Sequence, residues 1–205
     1  MTKVKVCGIT NVNDALASID AGCDALGFVF YKKSPRYINP DGCQGITRYI
    51  PGSIVKIGIF VDEKEKKIKE IAKACQLDVL QFHGKETPSF CKRFKGYKII
   101  KAFRIKNKID PRQIKKYNVF AYMFDTYMPK KIGGTGKNFN WELVKHIGKL
   151  RQPVFLSGGL NEKNVKQAIK VAHPNWVDAS SSLEVSPGKK DIKKVKKFIN
   201  AAKGL

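Results

Sequence analysis

The sequence has no apolar run that approaches the length of a membrane span, which needs roughly 18 residues. Its first residues, MTKVKV, also lack the apolar stretch of a secretory signal peptide. We therefore expect a cytoplasmic protein with no membrane partner. The chain has 205 residues, of which 42% are hydrophobic, and this predicts one domain over residues 1–205 with a buried core.

Histidine is scarce, and the cysteines follow no metal-binding or disulfide pattern. The three histidines are scattered, at positions 83, 146 and 173, and the five cysteines never form a C-x-x-C pair. Zinc sites and disulfide frameworks usually show regular spacing of these residues. We therefore expect reduced thiols, no metal and no disulfide.

Acidic residues are also few, because 17 Asp plus Glu stand against 40 Lys plus Arg, for a net charge of +23. The lysines recur on the polar faces of predicted helices, as in residues 64–73 and 189–197. A nucleic-acid-binding protein would concentrate its charge in a patch interleaved with aromatic residues. The pattern favours a solvated surface with no nucleic-acid partner, and it also allows a field that steers a small anionic substrate. A basic nucleic-acid-binding protein is the alternative from a different functional class.

Eight short runs rich in β-branched residues predict eight strands, with helix patterns between them. The strands are predicted over residues 4–6, 25–30, 55–60, 79–81, 98–102, 121–124, 154–156 and 176–178. Apolar residues at helical spacing fill the intervals, as in residues 12–19 and 165–172. A strand followed by a helix, eight times without a long linker, predicts an α/β fold of the single-domain (βα)8 TIM-barrel type. An open doubly wound sheet is the alternative.

In a closed barrel, the loops after the strands meet on one face, and polar residues occur at these strand ends. The candidate site residues are Cys7, Arg36, Gln81, His83, Asp125, Gly158, Gly159, Asp178, Ser180, Ser181 and Ser182. Glycine and serine loops after strands 7 and 8 can present backbone N–H groups to a phosphate. They predict a phosphorylated small-molecule substrate. One histidine and one aspartate supply too few ligands for zinc.

Each candidate also has a purely structural interpretation. Cys7 alone is compatible with a small buried hydrophobe, and Asp125 with a strand end capped by a neighbour. Arg36 can grip a carboxylate through two parallel bonds, or lie on the surface. His83 can be a packed core histidine, and Gln81 can satisfy backbone groups.

The segment KIGGTGKNF, residues 131–139, looks superficially like a nucleotide-binding loop. It is not one, because Lys131 stands where glycine is required and Asn138 stands where serine or threonine is required. After strand 6, this segment instead predicts a mobile lid.

Together, these segments resemble the phosphoribosylanthranilate isomerase family. The matching stretches are KVCGIT, DALGFVFYKKSPRYI, VLQFHG, FDT, GGTGKNFNW, LSGGLNEKNV and VDASSSLEVSPGKKD, in family order from residue 3 to 191. The resemblance implies an enzyme of tryptophan biosynthesis that needs no cofactor. Its reaction is the Amadori rearrangement of N-(5-phosphoribosyl)anthranilate to 1-(2-carboxyphenylamino)-1-deoxyribulose 5-phosphate.

The resemblance also implies roles for individual residues. Cys7 would be the general base, Asp125 the general acid and Arg36 the group that holds the anthranilate carboxylate. We expect an apolar strand end to keep Asp125 protonated, and a helix N-terminus or a cation to lower the pKa of Cys7. Gly8 would leave room for the substrate beside the thiol.

One departure from the family concerns the loop after strand 8, where the usual Ser-Ser-Gly is Ser180-Ser181-Ser182. A positive φ at Ser182 would cost serine more than glycine and would alter the phosphate geometry. A ribotide-isomerase-type barrel is the alternative within enzymes, although such barrels typically have an aspartate where this chain has Cys7. Both a monomer and a homodimer are compatible with the sequence.

Overall fold

Eight parallel strands close into a barrel, in which each strand pairs with the next along the chain and β8 pairs with β1. The barrel comes from a computed structural model that describes residues 1–105, 110–126 and 150–205. The strands are β1 Lys3–Cys7, β2 Ala25–Val29, β3 Val55–Phe60, β4 Val79–Phe82, β5 Lys98–Ile105, β6 Ala121–Thr126, β7 Val154–Ser157 and β8 Trp176–Ala179. The closed order confirms the predicted (βα)8 barrel and excludes the open doubly wound sheet.

Seven helices lie in the described ranges and surround the sheet. They are α1 Val12–Asp20, α2 Pro40–Thr47, α3 Glu65–Ala74, α4 Pro88–Cys91, α5 Pro111–Ile114, α6 Val165–Ala172 and α7 Ile192–Lys203. Asn11 caps the N-terminus of α1, since its Oδ1 accepts the backbone N–H of Asp14 at 2.8 Å. The segment 131–139, from which we predicted a lid, lies outside the described residues, as does His146.

The core has two layers because side chains alternate along each strand. One layer packs between the sheet and the helices, and the other fills the barrel. The barrel interior contains Ala25, Ile57, Val79, Ile100, Ala102, Ala121, Met123 and Phe155. All five cysteines are free and buried. None of the described helices combines the length and the apolar character that crossing a bilayer requires.

A short hairpin after β8 is the one described element that the sequence patterns do not predict. A 3-10 turn, Ser181–Leu183, leads into β9 Glu184–Ser186, which pairs antiparallel with β10 Lys189–Lys190. The hairpin folds back over the carboxyl end of the barrel, where the Thr10 hydroxyl donates a hydrogen bond to the carbonyl of Gly188. It therefore brings Glu184 and Lys190 to the face on which the candidate site lies.

Candidate active site

A cavity of 340 Å³ lies at the carboxyl ends of the strands, and all the candidate site residues line it. They are Cys7, Arg36, Gln81, His83, Asp125, Gly158, Gly159, Asp178, Ser180, Ser181 and Ser182. Cys7 is the last residue of β1 and Asp125 lies within β6, so two strands, β7 and β8, separate them around the barrel. The predicted convergence on one face is therefore present.

The alternation of β1 directs Cys7 into this cavity. Val4 and Val6 pack in the layer between sheet and helices, whereas Lys5 and Cys7 point to the interior. The carboxylate of Asp178 accepts hydrogen bonds from Lys5 Nζ at 2.7 Å and from the Ser157 hydroxyl at 2.9 Å. The candidate base therefore stands beside a buried ion pair.

The expected lowering of the thiol pKa is wrong. Burial raises the pKa of Cys7 above its ordinary value; the charge of Lys5 opposes this shift and that of Asp178 adds to it. The thiol is only 8% exposed, so it receives little stabilisation from water as a thiolate. The protonated form of the thiol is therefore favoured.

The position of Gly8 differs from the expectation that it leaves room for substrate. Its φ is +79°, and a Cβ there would lie 2.7 Å from Cδ of Arg36 and 2.9 Å from Oγ of Ser180. Glycine is required here because the backbone is left-handed and because two site side chains occupy the space. Gly8 makes room for Arg36 and Ser180.

The Arg36 guanidinium is held by a carboxylate that sequence reasoning missed. Its Nε and Nη2 donate to the two oxygens of Glu184 at 2.8 and 2.7 Å. Lys190 Nζ donates to Glu184 at 2.9 Å and to the carbonyl of Cys7 at 2.6 Å. The hydrogen bonds to Glu184 raise the pKa of Arg36. Burial raises the pKa of Glu184, but its two cationic partners outweigh burial and lower it. A second carboxylate can therefore use only the guanidinium edge formed by Nη1 and Nη2.

Asp125 lies in a more polar setting than the run YMFD suggests. Its Oδ2 lies 3.1 Å from Nε2 of His83, and its side chain is 27% exposed. Nδ1 of His83 lies 3.1 Å from Nε2 of Gln81. The predicted apolar surroundings are therefore absent, and the carboxyl group ends a hydrogen-bonded row of three side chains.

The loops after β7 and β8 form a lip with unused donors. Gly158 and Gly159 have φ values of +91° and +70°, in the region that glycine adopts without strain. The N–H groups of Gly159, Ser181 and Ser182 donate to no acceptor within the described residues. Unpaired N–H groups gathered in one lip are suited to an anion.

Two buried side-chain atoms also lack a partner within the described ranges, and both belong to residues that line the cavity. They are Oε1 of Gln81 and Oγ of Ser180. Buried polar atoms are nearly always paired, so each such exception requires an explanation. A polar ligand in the cavity would supply the missing partners.

Ser182 does not have the positive φ that raised doubt about the phosphate geometry. Its hydroxyl instead donates to the carbonyl of Leu160, in the loop after β7. This bond joins the two loops of the lip, so serine costs no strain at this position and adds a cross-link that glycine cannot make.

The charged residues of the site that sequence reasoning missed are Lys5, Arg104, Glu184 and Lys190. Glu184 and Lys190 lie in the stretch VDASSSLEVSPGKKD, but its pattern does not reveal that the chain folds back as a hairpin. Lys5 belongs to an alternating strand whose lysines look solvent-facing. Within the described residues, no group of three or more His, Cys, Asp or Glu side chains is arranged to hold a metal ion.

Comparison with known proteins identifies relatives of this barrel. The family model described as N-(5'-phosphoribosyl)anthranilate isomerase matches residues 4–201. The enzyme of that name from Geotalea uraniireducens is 46% identical over 205 residues, covering 100% of both chains. A crystal structure of monomers generated from the dimeric phosphoribosylanthranilate isomerase of Thermotoga maritima has a TM-score of 0.90 and 40% identity, again covering 100% of both chains.

A second solved relative was crystallised with a ligand. It is a phosphoribosyl anthranilate isomerase in complex with reduced 1-(o-carboxyphenylamino)-1-deoxyribulose 5-phosphate. Its TM-score is 0.88 and its identity 38%, and each chain is covered over 100% of its length. That relative binds a molecule with a carboxylate, a sugar-derived chain and a phosphate.

Proposed function

The chain belongs to the N-(5'-phosphoribosyl)anthranilate isomerase family, and from this premise we propose how its residues carry out the reaction. As an isomerase of tryptophan biosynthesis, it converts N-(5-phosphoribosyl)anthranilate to 1-(2-carboxyphenylamino)-1-deoxyribulose 5-phosphate. Asp125 is the general acid and Cys7 the general base. The observation that carries these roles is that β1 and β6 direct both side chains into one cavity, which also holds the donor lip.

The reaction needs two proton transfers on opposite sides of the sugar. Asp125 protonates the ring oxygen of the furanose, so that the C1–O bond breaks and C1 becomes an iminium. The iminium acidifies the proton on C2, and the Cys7 thiolate removes it to give an enolamine. The enolamine then tautomerises to the ketone. Cys7 and Asp125 lie on strands that are separated by two others, which supports assigning the base and the acid to different residues.

Recognition of the substrate is divided between two ends of the cavity. The N–H groups of Gly159, Ser181 and Ser182, with Gly158 beside them, bind the phosphate, and the Ser180 hydroxyl contributes one hydrogen bond. Arg36 holds the anthranilate carboxylate with its Nη1 and Nη2 edge, while Glu184 fixes the orientation of the guanidinium. The free Oε1 of Gln81 accepts a hydrogen bond from a hydroxyl of the sugar, and Asp178 holds Lys5.

The test of this function is the decay of anthranilate fluorescence with freshly generated phosphoribosylanthranilate. We expect the purified chain to accelerate the decay and to form the ketose product, with no added metal or cofactor. A folded chain that leaves the fluorescence unchanged would exclude the activity. The same preparation should leave an imidazole-carboxamide ribotide substrate unconverted, because Cys7 replaces the aspartate that such barrels typically use.

The carboxylate role of Arg36 predicts a selective loss of binding. In Arg36→Lys, a single ammonium group replaces a planar guanidinium that can form two parallel hydrogen bonds to a carboxylate. Because one hydrogen bond to a charged group contributes about 1.5 to 3 kcal/mol, KM should rise about 10- to 100-fold. The value of kcat should change much less, because the reacting carbons are not in contact with this group. Steady-state kinetics would check the separation, and a fall confined to kcat would contradict it.

The bond from Ser182 to Leu160 predicts that serine improves phosphate binding. We expect Ser182→Gly to raise KM by about 3- to 10-fold, the effect of losing one neutral hydrogen bond that orders the lip. Ser182→Ala should behave in the same way, and Ser182→Thr, which retains the hydroxyl, should restore most of the affinity. A lower KM in Ser182→Gly would mean that serine distorts the lip.

We also propose that the positive charge has no nucleic-acid partner and that the enzyme works in the cytoplasm. The lysine-rich helices α3 and α7 follow β3 and β8, so they lie at different positions around the barrel. Near the start of α3, Lys67 forms an ion pair with Glu63 and Lys69 forms one with Glu65. Retention on heparin at physiological salt would argue for a polyanion partner, and cell fractionation would test the compartment.

The dimeric relative supports a monomer or a homodimer, which sedimentation would distinguish.

A further inference from the structure

A fully buried lysine lies beside the proposed base on the same face of β1. Lys5 is 0% exposed, its ammonium donates to Asp178 at 2.7 Å, and its charge acts on the Cys7 thiol. Burying an ammonium is costly unless partners offset the loss of water, and eight other positions of the barrel interior are filled by apolar side chains. Neither proton transfer of the proposed reaction uses Lys5.

The neighbouring strand shows how closely the two groups pack. Gly27 pairs with Cys7 in the β1–β2 register. A Cβ on Gly27 would lie 2.8 Å from Sγ of Cys7 and 3.1 Å from Cε of Lys5. The thiol and the end of the lysine chain therefore pack against one point of the β2 backbone, with no side chain between them.

We propose that Lys5 is a positioning residue whose ammonium, held in place by Asp178, stabilises the thiolate of Cys7. The lysine touches neither the reacting carbons nor the ring oxygen in this proposal. It acts on the base through its charge, at close range. The proposal rests on the role of Cys7 as the base.

The other charges near Cys7 in the described residues are Arg36, Lys190 and Glu184, and the charge of Lys190 also lowers the pKa of the thiol. Arg36 gives two bonds to Glu184, and Lys190 gives one bond to Glu184 and one to the main-chain carbonyl of Cys7. These two cations share one carboxylate on the side of the hairpin. Lys5 and Asp178 are the pair that faces the sulfur from inside the barrel, so they are the groups to change.

The direction of each effect follows from the sign of the charge. Burial raises the pKa of Cys7; the ammonium of Lys5 lowers it and the carboxylate of Asp178 raises it. For Lys5, burial lowers the pKa, but the charges of Asp178 and Cys7 outweigh burial and raise it above its ordinary value, so the lysine stays charged. Removing the ammonium should therefore raise the pKa of the thiol, and removing the carboxylate should lower it.

The experiment is a pH titration of the thiolate by its ultraviolet absorbance. Each variant is measured against its own Cys7→Ser counterpart, so that the other cysteines and the tyrosines cancel. We expect the midpoint to move up by at least about one pH unit in Lys5→Met and down by a similar amount in Asp178→Asn, the size expected for a charge at contact distance. The acidic limb of the profile of kcat/KM against pH should move in the same directions.

The double variant Lys5→Met with Asp178→Asn leaves no unpaired buried charge, and it is the control for folding. Its midpoint should lie between those of the single variants. If Lys5→Met fails to fold, Asp178→Asn and the double variant still decide, because equal midpoints in these two would show that the ammonium does not act on the thiol and would overturn the proposal. Midpoints that stay at the parent value in all the folded variants would show that the pair only supports the fold.

The effect of Lys5 on the thiolate and the role of Cys7 as the base can be contradicted separately. The absorbance titration uses no substrate, so it reports on Lys5 even if the assigned reaction is wrong. Conversely, opposite shifts of the midpoint together with full turnover in Cys7→Ser would leave the charge effect standing and remove its catalytic meaning.

Discussion

Replacing Cys7 by serine is expected to lower kcat by at least about 10³-fold, within the range that general acid–base catalysis contributes. The serine hydroxyl is nearly the size of the thiol, but it is a far weaker acid, and so it does not form the anion that must remove the C2 proton. The buried position adds to this difference, because burial already raises the pKa of the more acidic thiol.

The fold should survive this change. The main-chain carbonyl of residue 7 keeps its 2.6 Å bond from Lys190, and the side chain is replaced without a change in shape. The matched control is Cys23→Ser, which removes another buried thiol that does not line the cavity. Once folded, the control should retain kcat within about twofold, and circular dichroism should report the same secondary structure for all three proteins. Near-parent turnover in Cys7→Ser would show that the base is a different group, even though the barrel is correct.

The barrel itself could be predicted because its signals are local. Each strand is a short β-branched run, and each is followed by a helix pattern at a regular distance, so topology follows from repetition. Strand ends were less certain: β5 extends to Ile105, beyond the predicted end at residue 102. The extra length matters because it brings Arg104 beside Asp125 in the register of β5 and β6.

The charged frame of the site could not be predicted because its contacts join distant parts of the chain. In the sequence, Lys5 alternates with valines, a pattern typical of a strand whose polar side chains face solvent. In the closed barrel, its side chain faces the interior, where the site lies, and it is buried. Arg36 and Glu184 are far apart in sequence, and only the hairpin brings them together. The direction of the Cys7 pKa depends on this burial, and for that reason the expectation from the sequence was wrong.

Replacing Asp125 by asparagine is expected to lower kcat by about 10²- to 10⁴-fold. The amide has the shape of the carboxyl group and can still meet His83, but it cannot transfer a proton to the ring oxygen. KM should stay within a few-fold of the parent, because phosphate and carboxylate recognition lie elsewhere in the cavity. The matched control is Asp191→Asn, at the N-terminus of α7, where asparagine is an equally good cap. Its kcat should equal that of the parent.

A deuterium at C2 of the ribose would separate the acid from the base, which a loss of rate alone does not. In Asp125→Asn, ring opening becomes the slow step, and no bond to C2 breaks there, so the isotope effect on kcat should fall toward one. In Cys7→Ser, removal of the C2 proton becomes slow, and the isotope effect should exceed that of the parent. The reverse pattern would exchange the two roles. The carboxyl group contacts His83, which contacts Gln81, whereas the thiol packs beside Lys5. Each step then depends on its own supporting residues, and a change at Lys5 should alter only the isotope-sensitive step.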